Sequence, residues 1–171
     1  DVVLHLGTLL SILIFWRLEL KKEFRKVLSG NKEIVHLVFL GSIPAAIVGL
    51  TLKDYIQDNF FVSYGYNTFP IFLIINYFFM GIIVYISKYY HGNEKTKISY
   101  MHAFLIGVAQ AVALIPGISR SGITIVVALM LGYKFIKALK FSFYLAIPIL
   151  LFAGFDIYNH YQLLVINDKL L

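Results

Sequence analysis

Cysteine is absent from the 171 residues, so neither a disulfide framework nor a thiolate metal site is open to this chain. Charge is scarce too. Asp, Glu, Lys and Arg make up 14% of the residues, against about 25% in soluble domains. Acidic residues are the rarer sign, 9 against 15 basic, and no glutamate falls inside a long apolar run. What remains is apolar: 60% of the chain is hydrophobic, with 15 Phe and 12 Tyr. A chain of this size cannot hide that much apolar surface in its own core and keep a wetted exterior. Its solvent is therefore mostly lipid, which excludes a soluble enzyme, a disordered tail and a secreted disulfide scaffold. The formal charge of +6 would suit nucleic acid, but the placement of the basic residues argues for a membrane protein with no nucleic-acid partner.

Crossing a bilayer core takes roughly 20 mostly apolar residues. Val2 to Trp16 reads as the later part of one span, and Ile34 to Leu52 as a second. Phe69 to Ser87 is a third and Phe141 to Tyr158 a fourth. The chain opens on Asp1 rather than Met and stops at Leu171, so it reads as a fragment, a single integral membrane domain over residues 1–171. Six Lys or Arg stand between Arg17 and Lys32, and more follow at Lys88, Lys95, Lys97, Lys134, Lys137 and Lys140. The positive-inside rule places 17–32, 88–97 and 134–140 as cytoplasmic loops and 53–68, with Asp54 and Asp58, as an external one.

Between Ser99 and Tyr133 two apolar runs, Met101–Leu114 and Ile123–Leu131, flank Pro116-Gly117-Ile118-Ser119-Arg120-Ser121-Gly122. At 1.5 Å per residue each arm reaches about 15–20 Å, short of a core of about 30 Å. Both ends are basic, so both belong on the same face. A re-entrant hairpin over about 100–132, with its tip near the middle of the membrane, fits better than two complete spans. The expected fold is an all-α polytopic transmembrane helical bundle containing that hairpin.

Arg120 is the one charged residue between Lys97 and Lys134, and an arginine at membrane depth needs a partner or a wet cavity. Ser119, Ser121 and Thr124 supply hydroxyls beside it. Gly117 and Gly122 let backbone amides approach a ligand, and a helix starting near Ser121 would aim its positive end at the same place. The sum is an anion cradle, in which guanidinium can pair bidentately with phosphate oxygens. The plainer alternative is that Arg120 pairs with a buried carboxylate from another segment and the serines only cap the second arm.

The run Gly107-Val-Ala-Gln110-Ala-Val-Ala-Leu-Ile-Pro116-Gly-Ile-Ser-Arg120-Ser-Gly-Ile-Thr124 strongly resembles the bacterial undecaprenyl-pyrophosphate phosphatases, also called bacitracin-resistance proteins. The resemblance extends to Asp1–Leu10, Ile43–Leu50, Phe141-Ser142-Phe143 and Ala146-Ile147-Pro148. It implies a bacterial inner (plasma) membrane enzyme that hydrolyses undecaprenyl pyrophosphate to undecaprenyl phosphate, recycling the carrier for peptidoglycan synthesis. It implies two inverted repeats, each with a re-entrant hairpin, of which this chain would hold the second. Arg120, Ser119 and Ser121 are then the catalytic candidates, with Gly117, Gly122, Thr124 and Gln110 binding substrate phosphate. The family's earlier motif, two glutamates followed by Ser-Ser-Thr-Gly-His, has no match here. The implied divalent cation (Mg or Ca) therefore has no ligands in this fragment, which is expected to be inactive alone. A serine or a water is the nucleophile. The expected partners are the prenyl pyrophosphate substrate, membrane lipids and a second copy in a homodimer.

Other polar residues read more blandly. His5 suits a hydrogen bond to a neighbouring helix. His36 and His102 lie near span ends, and His91 and His160 at interfaces. Tyr64, Tyr66, Tyr89, Tyr90, Tyr158 and Tyr161 form an aromatic belt. Gly41, Ala45, Ala46 and Gly49 offer a small face for close helix packing. Two competing functions use the same cradle. A flippase of the lipid phosphate would bind without chemistry, and an anion channel would need a polar path on both sides of the turn.

Overall fold

The computed structural model of the chain describes the backbone of residues 2–90 and 97–168, and the side chains of 7–52, 55, 69–90, 97–152 and 154–155. The expectations for His5, His91, His160, Tyr64, Tyr66, Tyr158, Tyr161, Asp54, Asp58 and Lys95 fall outside those side chains. All regular structure among the described residues is helical. Among the described residues three stretches are long and apolar enough to cross a membrane: Glu33–Leu52, Phe69–Ser87 and Phe135–Phe152. The chain is a polytopic membrane helical bundle. It divides into two compact units, Asp1–Ile34 with Ala146–Leu171, and Val35–Leu145.

In the first unit, α1 (Val2–Phe15) is followed by α2 (Arg17–Leu28). The 17–32 loop is thus corrected to a helix over most of its length. Its residues are good helix formers, and Lys22 and Lys26 reach back one turn to Glu19 (3.8 Å) and Glu23 (2.8 Å). No residue of α2 is buried, as suits a helix lying at a surface.

The second unit holds α3 (Glu33–Ser87), the hairpin of α4 (Tyr100–Val112) and α5 (Arg120–Met130), and the start of α6 (Phe135–Asp168). Two boundaries differ from expectation. The 53–68 segment has helical backbone instead of a loop, since it contains no proline to interrupt the i to i−4 ladder. Residues 135–140 of the 134–140 segment likewise open α6 rather than forming a loop.

The 55 residues of α3 are not a straight rod. A Cβ at Gly49 would stand 4.0 Å from Leu114 Cδ1, and one at Gly117 would stand 2.8 Å from Asn76 Cβ. Leu114 and Gly117 are three residues apart, so Gly49 and Asn76 lie within about 27 Å of each other. A straight helix would hold them about 40 Å apart. Register shows how the helix doubles back. Gly41 faces Ala103 and Gly107, and Gly49 faces Leu114, so the first half of α3 runs parallel to α4. Asn76 faces Gly117 and Met80 faces Gly122, so the second half runs parallel to α5. The two arms of the hairpin are antiparallel, and so are the two spans of α3. Pro70 lies in the interval where the direction changes.

The small face on the first span packs as expected. A Cβ on Gly107 would overlap Gly41 O and lie 2.8 Å from Gly41 C, so the two helices touch backbone to backbone. Ala45 is buried with them, while Ala46 is exposed. At the base of the hairpin, Tyr133 is buried and its hydroxyl meets His102 Nδ1 at 2.7 Å and Lys97 O at 3.3 Å. Just before it α5 closes in a Schellman turn. Gly132 sits at φ 90°, with Tyr133 N–H bonded to Ala128 O and Gly132 N–H to Leu129 O.

Candidate functional site

The turn is written in its sequence. Pro116 presets φ for the second position of a turn, and Gly117 adopts φ 88° at the third. Ile118 N–H closes the turn on Ile115 O at 3.2 Å, the pattern of a type II turn. Gly117 is required twice over, by its positive φ and by Asn76 Cβ at 2.8 Å from where its own Cβ would be. Asn76 also donates from Nδ2 to Pro116 O at 2.7 Å, so the second span of α3 holds the tip.

Ser119, extended at φ −70° and ψ 114°, is the N-cap of α5, and its Oγ accepts from Gly122 N–H at 3.2 Å. Such a cap is typically worth about 1 kcal/mol. The helix starts at Arg120, one residue earlier than expected. Ile123 N–H bonds Ser119 O at 2.9 Å. The amides of Arg120 and Ser121 have no protein acceptor among the described residues. These are orphan donors at a helix N-terminus, where the macrodipole favours an anion.

The side chains around those amides are unevenly committed. Ser121 is exposed, and its hydroxyl makes no hydrogen bond among the described residues. Arg120 is half-buried, and among the described residues no carboxylate pairs with its guanidinium. Gly122 is wedged between Met80 Cε and Ser119 Oγ, each 3.1 Å from a hypothetical Cβ, and its N–H is already bonded to the cap. Thr124 is fully buried and faces Ser142 of α6. Gln110 lies apart, in the stripe that α4 buries with Ala103, Ile106 and Gly107. It is 2% exposed, and its Oε1 and Nε2 find no partner among the described residues.

The structure thus brings Ser119, Arg120, Ser121 and two free amides together at one helix end. Gly117 and Gly122 shape the backbone there, Thr124 sits behind it on the carbonyls of Arg120 and Ser121, and Gln110 stays apart on α4. Gly122 faces Met80, which is about 3 Å from the midpoint of the Phe69–Ser87 span. The arms of 13 and 11 residues measure about 20 and 16 Å, too short to cross a core of about 30 Å. Chemically, the arrangement offers cationic, hydroxyl and amide donors at one helix end, with no acidic group beside them among the described residues.

Sequence reasoning missed Asn76 and the Tyr133–His102 contact. Asn76 did leave a signal, as the one side-chain amide in the Phe69–Ser87 span. The clasp on Tyr133 left none, because nothing in sequence pairs it with a histidine 31 residues earlier.

Comparison with known proteins fits the same segment into a longer frame. The family model described as bacitracin resistance protein BacA matches residues 1–170. The chain belongs to this family. It is similar to proteins named undecaprenyl-diphosphatase. That of Methanococcus vannielii is 37% identical over 156 residues, covering 88% of this chain and 60% of the relative. That of Elusimicrobium minutum is 35% identical, covering 88% and 57%, and that of Nitrosococcus oceani 35%, covering 94% and 63%. The chain therefore spans about 60% of the length of these curated relatives.

A divalent metal does not fit the described residues of this helix end. Among the described residues no three His, Cys, Asp or Glu side chains come together, and the site's own donors are cationic or neutral. Oxygen-seeking cations take carboxylates and carbonyls.

Proposed function

We propose that the full-length protein containing this chain hydrolyses a prenyl pyrophosphate, undecaprenyl pyrophosphate, to the prenyl phosphate and inorganic phosphate. One observation carries the proposal. An arginine at membrane depth has no protein counter-charge among the described residues, and it opens a helix whose first amides are also free. A half-buried cation at membrane depth is costly unless it is paired, and a phosphate anion supplies the pair. The relatives' name, undecaprenyl-diphosphatase, supports hydrolysis over transport of the lipid phosphate.

In this reading Arg120 clamps non-bridging oxygens of the terminal phosphoryl group, and Ser121 with the Arg120 and Ser121 amides binds the others. Ser119 keeps the helix end capped while its own O–H stays free to donate. A water oxygen forms a bond to the terminal phosphorus as the bridging P–O bond breaks. The bonding pair leaves with the lipid phosphate, and the water proton passes to solvent. Guanidinium and amides aimed at the phosphoryl oxygens stabilise charge that grows in the transition state. Thr124 acts from behind this shell, through the carbonyls of Arg120 and Ser121. A Mg or Ca ion belongs to the proposal with ligands outside residues 1–171.

The setting proposed is the bacterial inner membrane, with 100–132 as a re-entrant hairpin. The ends at Ser87, Tyr100 and Leu131 lie at one end of the unit and 53–68 at the other. Lys88, Lys97 and Lys134 flank the first of these, which supports a cytoplasmic placement for it. The test is phosphate release from a prenyl pyrophosphate by the purified full-length protein. Release above a protein-free control is expected. Movement of a prenyl phosphate across vesicles without release would refute the proposal.

A further inference from the structure

Thr124 and Ser142 are buried hydroxyl residues, 0% and 1% exposed. Their oxygens are 2.7 Å apart, joining α5 to α6. Thr124 Oγ1 also lies 2.9 Å from Arg120 O and 3.2 Å from Ser121 O. The direction of donation follows from the chemistry of the groups. Carbonyls only accept, so Thr124 must give its single proton to them. Ser142, whose hydroxyl has no other partner among the described residues, then donates to Thr124. The reverse order would leave the Ser142 proton without an acceptor in a buried place, where an unmade hydrogen bond is costly. The bonds run in one sense, from Ser142 O–H to Thr124 Oγ1, and from Thr124 O–H to the Arg120 carbonyl.

The geometry points to Ser142 as a positioning residue for Arg120, acting through Thr124 on the first turn of α5. Asn76 fixes the tip from the α3 side through Pro116 O, and Ser142 fixes the start of the helix from the α6 side. Arg120 stands between the two anchors with its carbonyl held and its guanidinium free. Hydrogen bonds in such a chain polarise one another, so the first donor strengthens the second bond. Losing Ser142 loosens the turn that aims the guanidinium, and misplacement of a group that meets developing charge lowers kcat more than it raises KM.

This inference rests on the phosphatase reading, and its test separates the two. In the full-length protein, Ser142→Ala is expected to lower kcat roughly five- to tenfold, the effect of about one buried hydrogen bond, with KM within about twofold. Thr124→Val, which also strands the Ser142 proton, should lose more. The double variant should be no worse than Thr124→Val alone, because the two share one interaction. Tyr133→Phe is the control, removing a buried hydroxyl from the far end of the hairpin. It should lower the melting temperature while leaving kcat unchanged. Amide hydrogen exchange at residues 120–124, which needs no substrate, should be faster in Ser142→Ala and unchanged in Tyr133→Phe. Wild-type exchange in Ser142→Ala would overturn the inference whatever the rates. So would a kcat loss matched by Tyr133→Phe. If the wild type released no phosphate, the phosphatase reading would fail, and exchange would still decide whether Ser142 holds this turn.

Discussion

Adding a single methyl at Gly107 tests the backbone contact that brings the hairpin against the first span. In Gly107→Ala the new Cβ would overlap Gly41 O and stand 2.8 Å from Gly41 C and 2.9 Å from Gly41 Cα. Carbon atoms rest at about 3.5–4.0 Å, so α4 and α3 must part by about 1 Å. The obstacle is backbone, which no rotamer change can clear. Overpacking of this kind typically costs about 1–3 kcal/mol, and this site belongs at the upper end. Alanine recovers about 1 kcal/mol of helix propensity over glycine, leaving a net loss of about 2 kcal/mol. For a chain of this size that lowers Tm by roughly 4–8 °C. Gly81→Ala is the companion, since nothing lies within 4 Å of its Cβ. It gains the propensity without the clash and should be neutral or slightly stabilising. The assay is thermal unfolding of the full-length variants in one detergent. Equal stability of Gly107→Ala and Gly81→Ala would refute the close approach.

Three further outcomes follow from the same geometry. Asn76→Ala removes the donor to Pro116 O and should destabilise by about 1–3 kcal/mol. It should also reduce phosphate release beyond what the lost folded fraction explains, and wild-type release per folded molecule would contradict its role at the tip. Gly117→Ala meets both a positive φ and Asn76 Cβ, so it should be poorly folded, unlike Gly30→Ala, whose φ of 95° adds strain without a clash; comparable yields of folded protein would count against this. Tyr133→Phe should lower stability by about 1–2 kcal/mol through loss of the His102 bond, read as faster amide exchange at the hairpin base; unchanged exchange there would place the clasp elsewhere.

The hairpin was legible in the sequence because each of its parts has a local cause. Arm length follows from the apolar runs, the turn from Pro116-Gly117, and the helix start from Ser119. The small face was legible for the same reason, as Gly41 and Ala45 lie one turn apart. The helix at 17–28 was hidden because dense positive charge resembles a loop when only orientation is being judged. Its i to i+3 ion pairs were equally present in the letters. The site was legible in its donors but not in how they are committed. That Ser119 and Gly122 bond each other, while Ser121 and Arg120 stay free, depends on which residue becomes the N-cap. The partners of Pro116 O and Thr124 come from residues 40 and 18 positions away, distances at which spacing carries no signal.

The central claim is that the free guanidinium of Arg120 meets the phosphates of a lipid substrate. Its most direct measurement is phosphate release from a prenyl pyrophosphate by full-length wild type, Arg120→Lys and Arg120→Ala, each purified and shown to be folded. Arg120→Ala should lose about 10²–10³ in rate, as when one preorganised donor to a developing oxyanion is removed. Arg120→Lys should keep some Coulomb attraction but not the bidentate fork, and fall between the two. Near-normal release by folded Arg120→Ala would contradict the account and leave Arg120 as a partner for another helix.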